Sequence, residues 1–156
     1  AKCLLIVKDG KLVEGLDKGD KGILILDKTP FYAESGGQIA DTGTLELDGK
    51  KIAEIVSVQK PVSGIHLHLV SDVSSDIKKG KEYHLLVSKE LRSLIQNNHT
   101  ATHMLHHLLR TKLGEHVKQA GSLVNSKFFT FDFNFRVQHF QILHQQIHIQ
   151  VCYLHL

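Results

Sequence analysis

Asn98-His99-Thr100-Ala101-Thr102-His103 opens a run to Leu113 that reads as an amphipathic helix, and the rest of the chain divides around it. At about 100° per residue, His99, His103, His106 and Arg110 fall in one stripe, while Ala101, Leu105, Leu108 and Leu109 gather on the other side. The apolar side is expected to pack and the histidine side to look into a cleft or into water. Two neutral imidazoles one turn apart offer lone pairs to one borderline-soft cation, with zinc the usual choice. Two donors do not complete a zinc site, so a solvated helix face is the competing reading. No Glu follows His99, so the metalloprotease pattern His-Glu-x-x-His, whose Glu is the general base, is missing.

Working outward, Ser88 reads as a helix cap with Glu90 in the first turn, where the helix dipole favours an acid. Asn97-Asn98 is expected to break that first helix before the histidine helix begins, because Asn competes for backbone hydrogen bonds. Gly114 suits the position just past Leu113. Upstream, short apolar alternations predict strands at Leu4 to Val7, Lys11 to Val13, Gly22 to Leu26, Thr44 to Leu47, Lys51 to Val56, Ile65 to Val70 and Tyr83 to Val87. Asp48-Gly49 is a two-residue hairpin signal, since both positions need positive φ. Many short strands at this spacing suggest a small antiparallel barrel or sandwich that closes near residue 87. Asp76-Ile77-Lys78-Lys79-Gly80-Lys81 reads as a solvated turn.

Inside that β region lies Thr29-Pro30-Phe31-Tyr32-Ala33-Glu34-Ser35-Gly36-Gly37-Gln38-Ile39-Ala40-Asp41-Thr42-Gly43. Paired glycines let a backbone approach a ligand closely, and Glu34, Ser35, Gln38 and Asp41 supply acceptors and donors of several geometries. A plain turn between strands is the competing reading. Gly-Gly-Gln is also the tripeptide that class I release factors bring to an ester, although none of their other surroundings is present. Downstream, Val117 to Val124 reads as loop then strand. Phe128 to Phe133 reads as a strand with Phe129, Phe131 and Phe133 on one face.

After Asn134 the composition changes: residues 134–156 hold five Gln and four His, with Arg136 the single Lys or Arg and no Asp or Glu. Phe140, Leu143, Ile147, Val151 and Leu154 keep helical spacing, so this segment is expected to be helical or disordered. Cys152 and His155 offer a weak Cys/His pair for a metal. The whole is 156 residues, 42% hydrophobic and 22% charged, which is a globular composition. No apolar run approaches the roughly 18 residues of a membrane span, and the first residues are too short and polar for a secretion signal. Cys3 and Cys152 form no disulfide framework, which suits a reducing compartment, and the expected location is cytoplasmic. Nineteen Lys plus Arg against sixteen Asp plus Glu permits nucleic-acid contact without demanding it.

Three ordered blocks carry a resemblance. Leu26 to Gln38 with Asp41 and Gly43, then Asn98 to His106, then Leu113 to Val124 with Phe131-Asp132-Phe133, resemble the editing region of alanyl-tRNA synthetases. Free-standing alanyl-tRNA editing proteins share the glycine and histidine motifs, and threonyl-tRNA synthetases share the histidine-helix region. The resemblance implies an α+β fold: a small antiparallel β-barrel over 1–87 carrying the Gly-Gly-Gln loop, then a partial two-layer α/β editing domain over 88–133 with the His-x-x-x-His helix, and the atypical segment 134–156. It implies hydrolysis of the ester on tRNA(Ala) mischarged with serine or glycine. His99 and His103 would be two zinc ligands, and the Cys and His that complete the set are expected to be absent from this chain. Gln38, Glu34 and Ser35 are the candidate catalytic residues, with Gln38 meeting the adenosine or the ester and the other two selecting the small side chain. The ATP-binding half of such a ligase lies outside this chain, and the alternative reading is a noncatalytic tRNA-binding or structural piece of it.

Overall fold

The computed structural model describes residues 1–135 and 145–152. Its elements are β1 (Cys3–Lys8), β2 (Lys11–Val13), β3 (Gly15–Leu16), β4 (Gly22–Leu26), β5 (Gly43–Leu47), β6 (Lys50–Val62), β7 (Ile65–Ser71), β8 (Ile77–Lys78), β9 (His84–Val87), α1 (Lys89–Leu113), β10 (Lys118–Val124), β11 (Phe128–Phe135) and β12 (Gln145–Cys152). Antiparallel sheet with one helix among the described residues makes this an α+β fold. No helix among the described residues is both long and apolar enough to cross a membrane. The fold divides into two compact units: residues 1–35 with 40–89, and residues 36–39 with 90–156.

The first unit is a seven-stranded antiparallel sheet in the order β2-β1-β4-β7-β6-β5-β9, plus the two-stranded pair β3-β8. Every strand expected from alternation is present. Asp48 and Gly49 take φ of 50° and 73° at the β5–β6 turn, where Leu47 pairs with Lys50, as the hairpin signal requires. A closed barrel goes further than the ladder does, because β2 and β9, the two ends of the order, do not pair with each other. The start of the chain does meet the approach to β9. Lys2 and Glu82 form an isolated antiparallel bridge, and Ala1 and Tyr83 exchange backbone bonds of 2.7 and 2.8 Å.

Ile6, Leu24, Leu45, Ile55, Val58 and Val70 fill the core, each buried on the inner side of its strand. The solvated turn expected at Asp76 to Lys81 needs correction. Ile77 is fully buried and pairs with Leu16 in β3–β8, and Tyr83 is bonded to both the N–H and the C=O of Lys78. One buried isoleucine within a charged stretch outweighs the polarity of its neighbours, since burying such a side chain contributes about 1.5–3 kcal/mol.

In the second unit α1 packs on the sheet β10-β11-β12. Ser88 precedes the helix and Glu90 sits in its first turn. Gly114, at φ 113°, follows its end with its N–H on Arg110 C=O at 2.9 Å. Asn97-Asn98 does not break the helix, which is continuous through both residues. Asn98 is fully buried and its amide donates to Asn125 C=O at 2.7 Å, so its side chain finds a tertiary partner and leaves the helix backbone alone. The helical expectation for residues 134–156 is overturned for Gln145–Cys152, which is a strand. There Ile147 and Ile149 alternate with Gln146, His148 and Gln150, and they pack with Val117, Phe131 and Phe133. The period is two, and the sheet face offered by β11 selects it. Phe140, Leu143, Leu154 and His155 lie outside the described residues.

Phe129, Phe131 and Phe133 share one buried face, and the rings of Phe131 and Phe133 stack at 6.1 Å. Against them α1 sets Ile95, Ala101, Leu105 and Leu109. Leu108, expected on this face, is instead 53% exposed. The packed stripe is Ile95, Asn98, Thr102, Leu105 and Leu109, with Ala101 on one flank and His99 and His106 on the other. The histidine stripe therefore borders the packed face and is not opposite to it.

Candidate functional site

Four residues of the glycine loop, 36–39, belong to the helical unit although the chain on both sides of them belongs to the sheet unit. Gly36 and Gly37 take φ of 59° and 83°. Beyond them Gln38 makes an isolated parallel bridge to Val124 of β10: Val124 N–H donates to Gly37 C=O at 2.7 Å and Ile39 N–H donates to Val124 C=O at 3.0 Å. A Cβ on Gly37 would lie 2.3 Å from Ser122 O, so no other residue fits without moving the strand. Gly37 is thus explained by a backbone docked on β10, while Gly36 has open space around it and only its left-handed φ favours glycine.

This docking sets Gln38. Its Oε1 accepts from Nδ1 of His99 at 2.6 Å, and Nε2 of His99 lies 3.0 Å from Nε2 of His103. The two rings are 4.8 Å apart and tilted by 42°. With Nδ1 donating, neutral His99 presents its lone pair at Nε2. His103 either donates its own Nε2–H to that lone pair or turns a second lone pair toward a shared cation. Two nitrogens on one tetrahedral zinc stand about 3.3–3.4 Å apart, so a small rotation of either ring brings this pair to zinc spacing. No group of three or more His, Cys, Asp or Glu side chains gathers among the described residues. The donor chemistry of His99 and His103 fits half of a zinc shell, and Gln38 is the kind of outer partner that metal-bound imidazoles usually have.

The other expected site residues fall elsewhere. Glu34 and Ser35 are exposed and belong to the sheet unit, where Glu34 N–H donates to Val58 C=O at 2.9 Å and Ser35 C=O accepts Tyr32 OH at 3.1 Å. Asp41 is 3% exposed and its carboxylate accepts Tyr32 N–H at 2.6 Å, so it closes the loop. His106 stacks on Phe131 at 5.3 Å, with its Nε2 hidden and unpartnered, and does not join the His99–His103 pair. Cys152 is exposed on β12 with Gln150 as its neighbour.

Sequence reading passed over one group at the base of the loop. His68 of β7 is fully buried, with Nδ1 on Leu24 C=O at 3.2 Å and Nε2 on Thr29 Oγ1 at 2.8 Å. Phe31 N–H donates to the same Oγ1 at 3.1 Å, which leaves the Thr29 hydroxyl proton for His68 Nε2. Burial pushes the His68 imidazole below its ordinary value. The alternation Ile65-His66-Leu67-His68-Leu69-Val70 puts both histidines on the face of Val70, where His68 is fully buried and His66 is not, so the sequence itself gives little hint of it.

The described residues thus form a β-rich unit and a helix-on-sheet unit that holds a Gln-His-His chain. The family model for class II (A) tRNA synthetases matches residues 1–91, and the chain belongs to that family. It is 48% identical over 134 residues to the alanine–tRNA ligase of Lactobacillus helveticus, an alignment covering 85% of this chain and 15% of that protein. It is likewise 48% identical over 130 residues to the ligase of Geobacillus kaustophilus, covering 83% and 14%, and 42% identical over 133 residues to that of Acetivibrio thermocellus, covering 85% and 15%. The chain thus spans about one seventh of the length of the curated relatives it matches, and the likeness first read from its motifs holds.

Proposed function

We propose that this chain is the editing portion of an alanine–tRNA ligase, acting on tRNA(Ala) mischarged with serine or glycine. Three motif blocks in the family's order and the identity to alanine–tRNA ligases support the reading. The observation that carries it is the hydrogen-bonded chain from Gln38 through His99 to His103. An aminoacyl ester is already activated, so hydrolysis asks mainly for a positioned water and for donors where the oxyanion develops. His99 and His103 would hold a zinc ion, whose Lewis acidity polarises a bound oxygen when the remaining donors come from the longer protein. Gln38 keeps two amide N–H donors for the ester or the terminal adenosine while its oxygen is held by His99. Glu34 and Ser35 offer an acceptor and a hydroxyl to select a small polar amino acid. Rejecting one methylene in a binding pocket is worth only about 1–3 kcal/mol, so a ligase for alanine gains accuracy from a second, hydrolytic site.

The test is deacylation of Ser-tRNA(Ala) by the complete ligase carrying His99→Ala or His103→Ala. Clearance is expected to be abolished while alanine activation stays intact, and undiminished clearance in both variants rejects the role. A second reading, a noncatalytic tRNA-binding or structural piece of the ligase, is favoured by the two-donor count among the described residues. It is recognised by RNA binding without deacylation in the complete ligase.

A further inference from the structure

The contact between Gln38 and His99 is shorter and more constrained than a substrate-facing amide needs. Gln38 is carried by a segment locked to β10 through two backbone bonds, with clearance at Gly37 for hydrogen alone. Its Oε1 meets Nδ1 of His99 at 2.6 Å on the far side of the ring from His103. A neutral imidazole carries one proton, and free histidine places it mostly on Nε2. At His99 that tautomer would aim an Nε2–H at His103 and leave Nδ1 without a proton to give, facing the Gln38 oxygen lone pairs. The amide oxygen therefore selects the Nδ1–H form.

From this we infer that Gln38 is a positioning residue: its side-chain oxygen holds the proton of His99 on Nδ1 and so keeps the Nε2 lone pair turned toward His103. The loop's double glycine then serves the helix, because it delivers an acceptor to the back of a working imidazole. Gly37 and Gln38 act as one device, with the glycine setting the close approach to β10 and the glutamine setting the tautomer. This deepens the proposed function, on which the value of a free Nε2 rests, but the tautomer itself is a property of this chain without substrate or metal.

The experiment reads ring-nitrogen tautomers of the intact chain by long-range ¹⁵N–¹H correlation at about pH 8, where ordinary imidazoles are neutral. His99 in the wild-type chain is expected to show the Nδ1–H pattern. Gln38→Leu is expected to move it to mostly Nε2–H, and Gln38→Glu, which keeps an acceptor at the same reach, to restore Nδ1–H. Zinc alone, titrated onto the same proteins, is expected to bind roughly 10–100-fold more weakly to the Leu variant and close to wild type for the Glu variant. An Nε2–H pattern at His99 in the wild type, or an unchanged tautomer in Gln38→Leu with the rest of the spectrum folded, overturns the inference. Equal zinc affinity in the wild type and Gln38→Leu overturns it as well. A tautomer shift in Gln38→Leu with undiminished Ser-tRNA(Ala) clearance by the complete ligase upholds the positioning role and defeats the editing reading, so the two fail separately.

Discussion

The sheet unit and the helical unit use histidine in opposite ways. His68 lies wholly inside the first, with Leu24 C=O on one ring nitrogen and Thr29 Oγ1 on the other, so the protein has used every polar atom it offers. His99, in the second, has one nitrogen on Gln38 and the other aimed at a second histidine, a pairing that leaves a lone pair for exchange. A histidine satisfied on both sides by backbone and hydroxyl is part of the packing. One held on one side by a dedicated loop and facing another imidazole on the other is equipped to act. Residue type is the same in both cases, and the account of its hydrogen bonds tells them apart.

Substitutions that break the frame around each histidine should give the largest effects. Phe131→Ala, deep in the helical unit, is expected to cost about 3–5 kcal/mol, read as a lower urea midpoint with unchanged slope. Gly37→Ala comes next: a left-handed φ for a non-glycine residue costs of order 1–3 kcal/mol, and the Ser122 clash adds to it. The same variant should release Gln38 from His99, visible as a changed His99 ring signal. His68→Leu is expected to cost about 1–3 kcal/mol at about pH 8, because Thr29 Oγ1 and Leu24 C=O lose their partner. The pH dependence has a definite sign. Burial depresses the His68 value, so the unfolded chain takes up a proton that the folded one resists. Stability is then full above about pH 6.5 and falls as the pH drops below it, and His68→Leu should flatten that decline. His99→Ala or His103→Ala should change stability least, within about 0.5 kcal/mol, because neither fills the core. A loss at His103 as large as that at His68 would erase the distinction drawn between the two units.

Much of this was readable in the sequence where a local rule and the tertiary context agree. Asp48-Gly49 closes its hairpin, Ser88 and Gly114 bracket the helix, and the alternating phenylalanines of β11 share a buried face. The misses share a cause. Asn98, Ile77 and Asp41 were read by their own chemistry as breaker, turn residue and ligand-facing acceptor. Each is instead claimed by a partner distant in sequence: Asn125 for the first, Leu16 for the second, Tyr32 for the third. Residues 145–152 fit a helix by spacing and a strand by alternation, and only the free edge of β11 decides between them. For the site, the pairing of His99 with His103 was legible from helical periodicity. The reach of Gln38 to His99 was not, because 61 residues separate them and no local pattern encodes the contact.

The four-residue segment 36–39 has one more consequence. The polypeptide leaves the sheet unit after residue 35, completes the far edge of β10, and returns at residue 40, well before it departs again at residue 90. Cutting the chain at the later crossing to obtain the helical part by itself would strip β10 of its neighbour and remove Gln38. The product would carry a bare strand edge inviting self-association. An excised helical part should therefore be built with residues 36–39 grafted back.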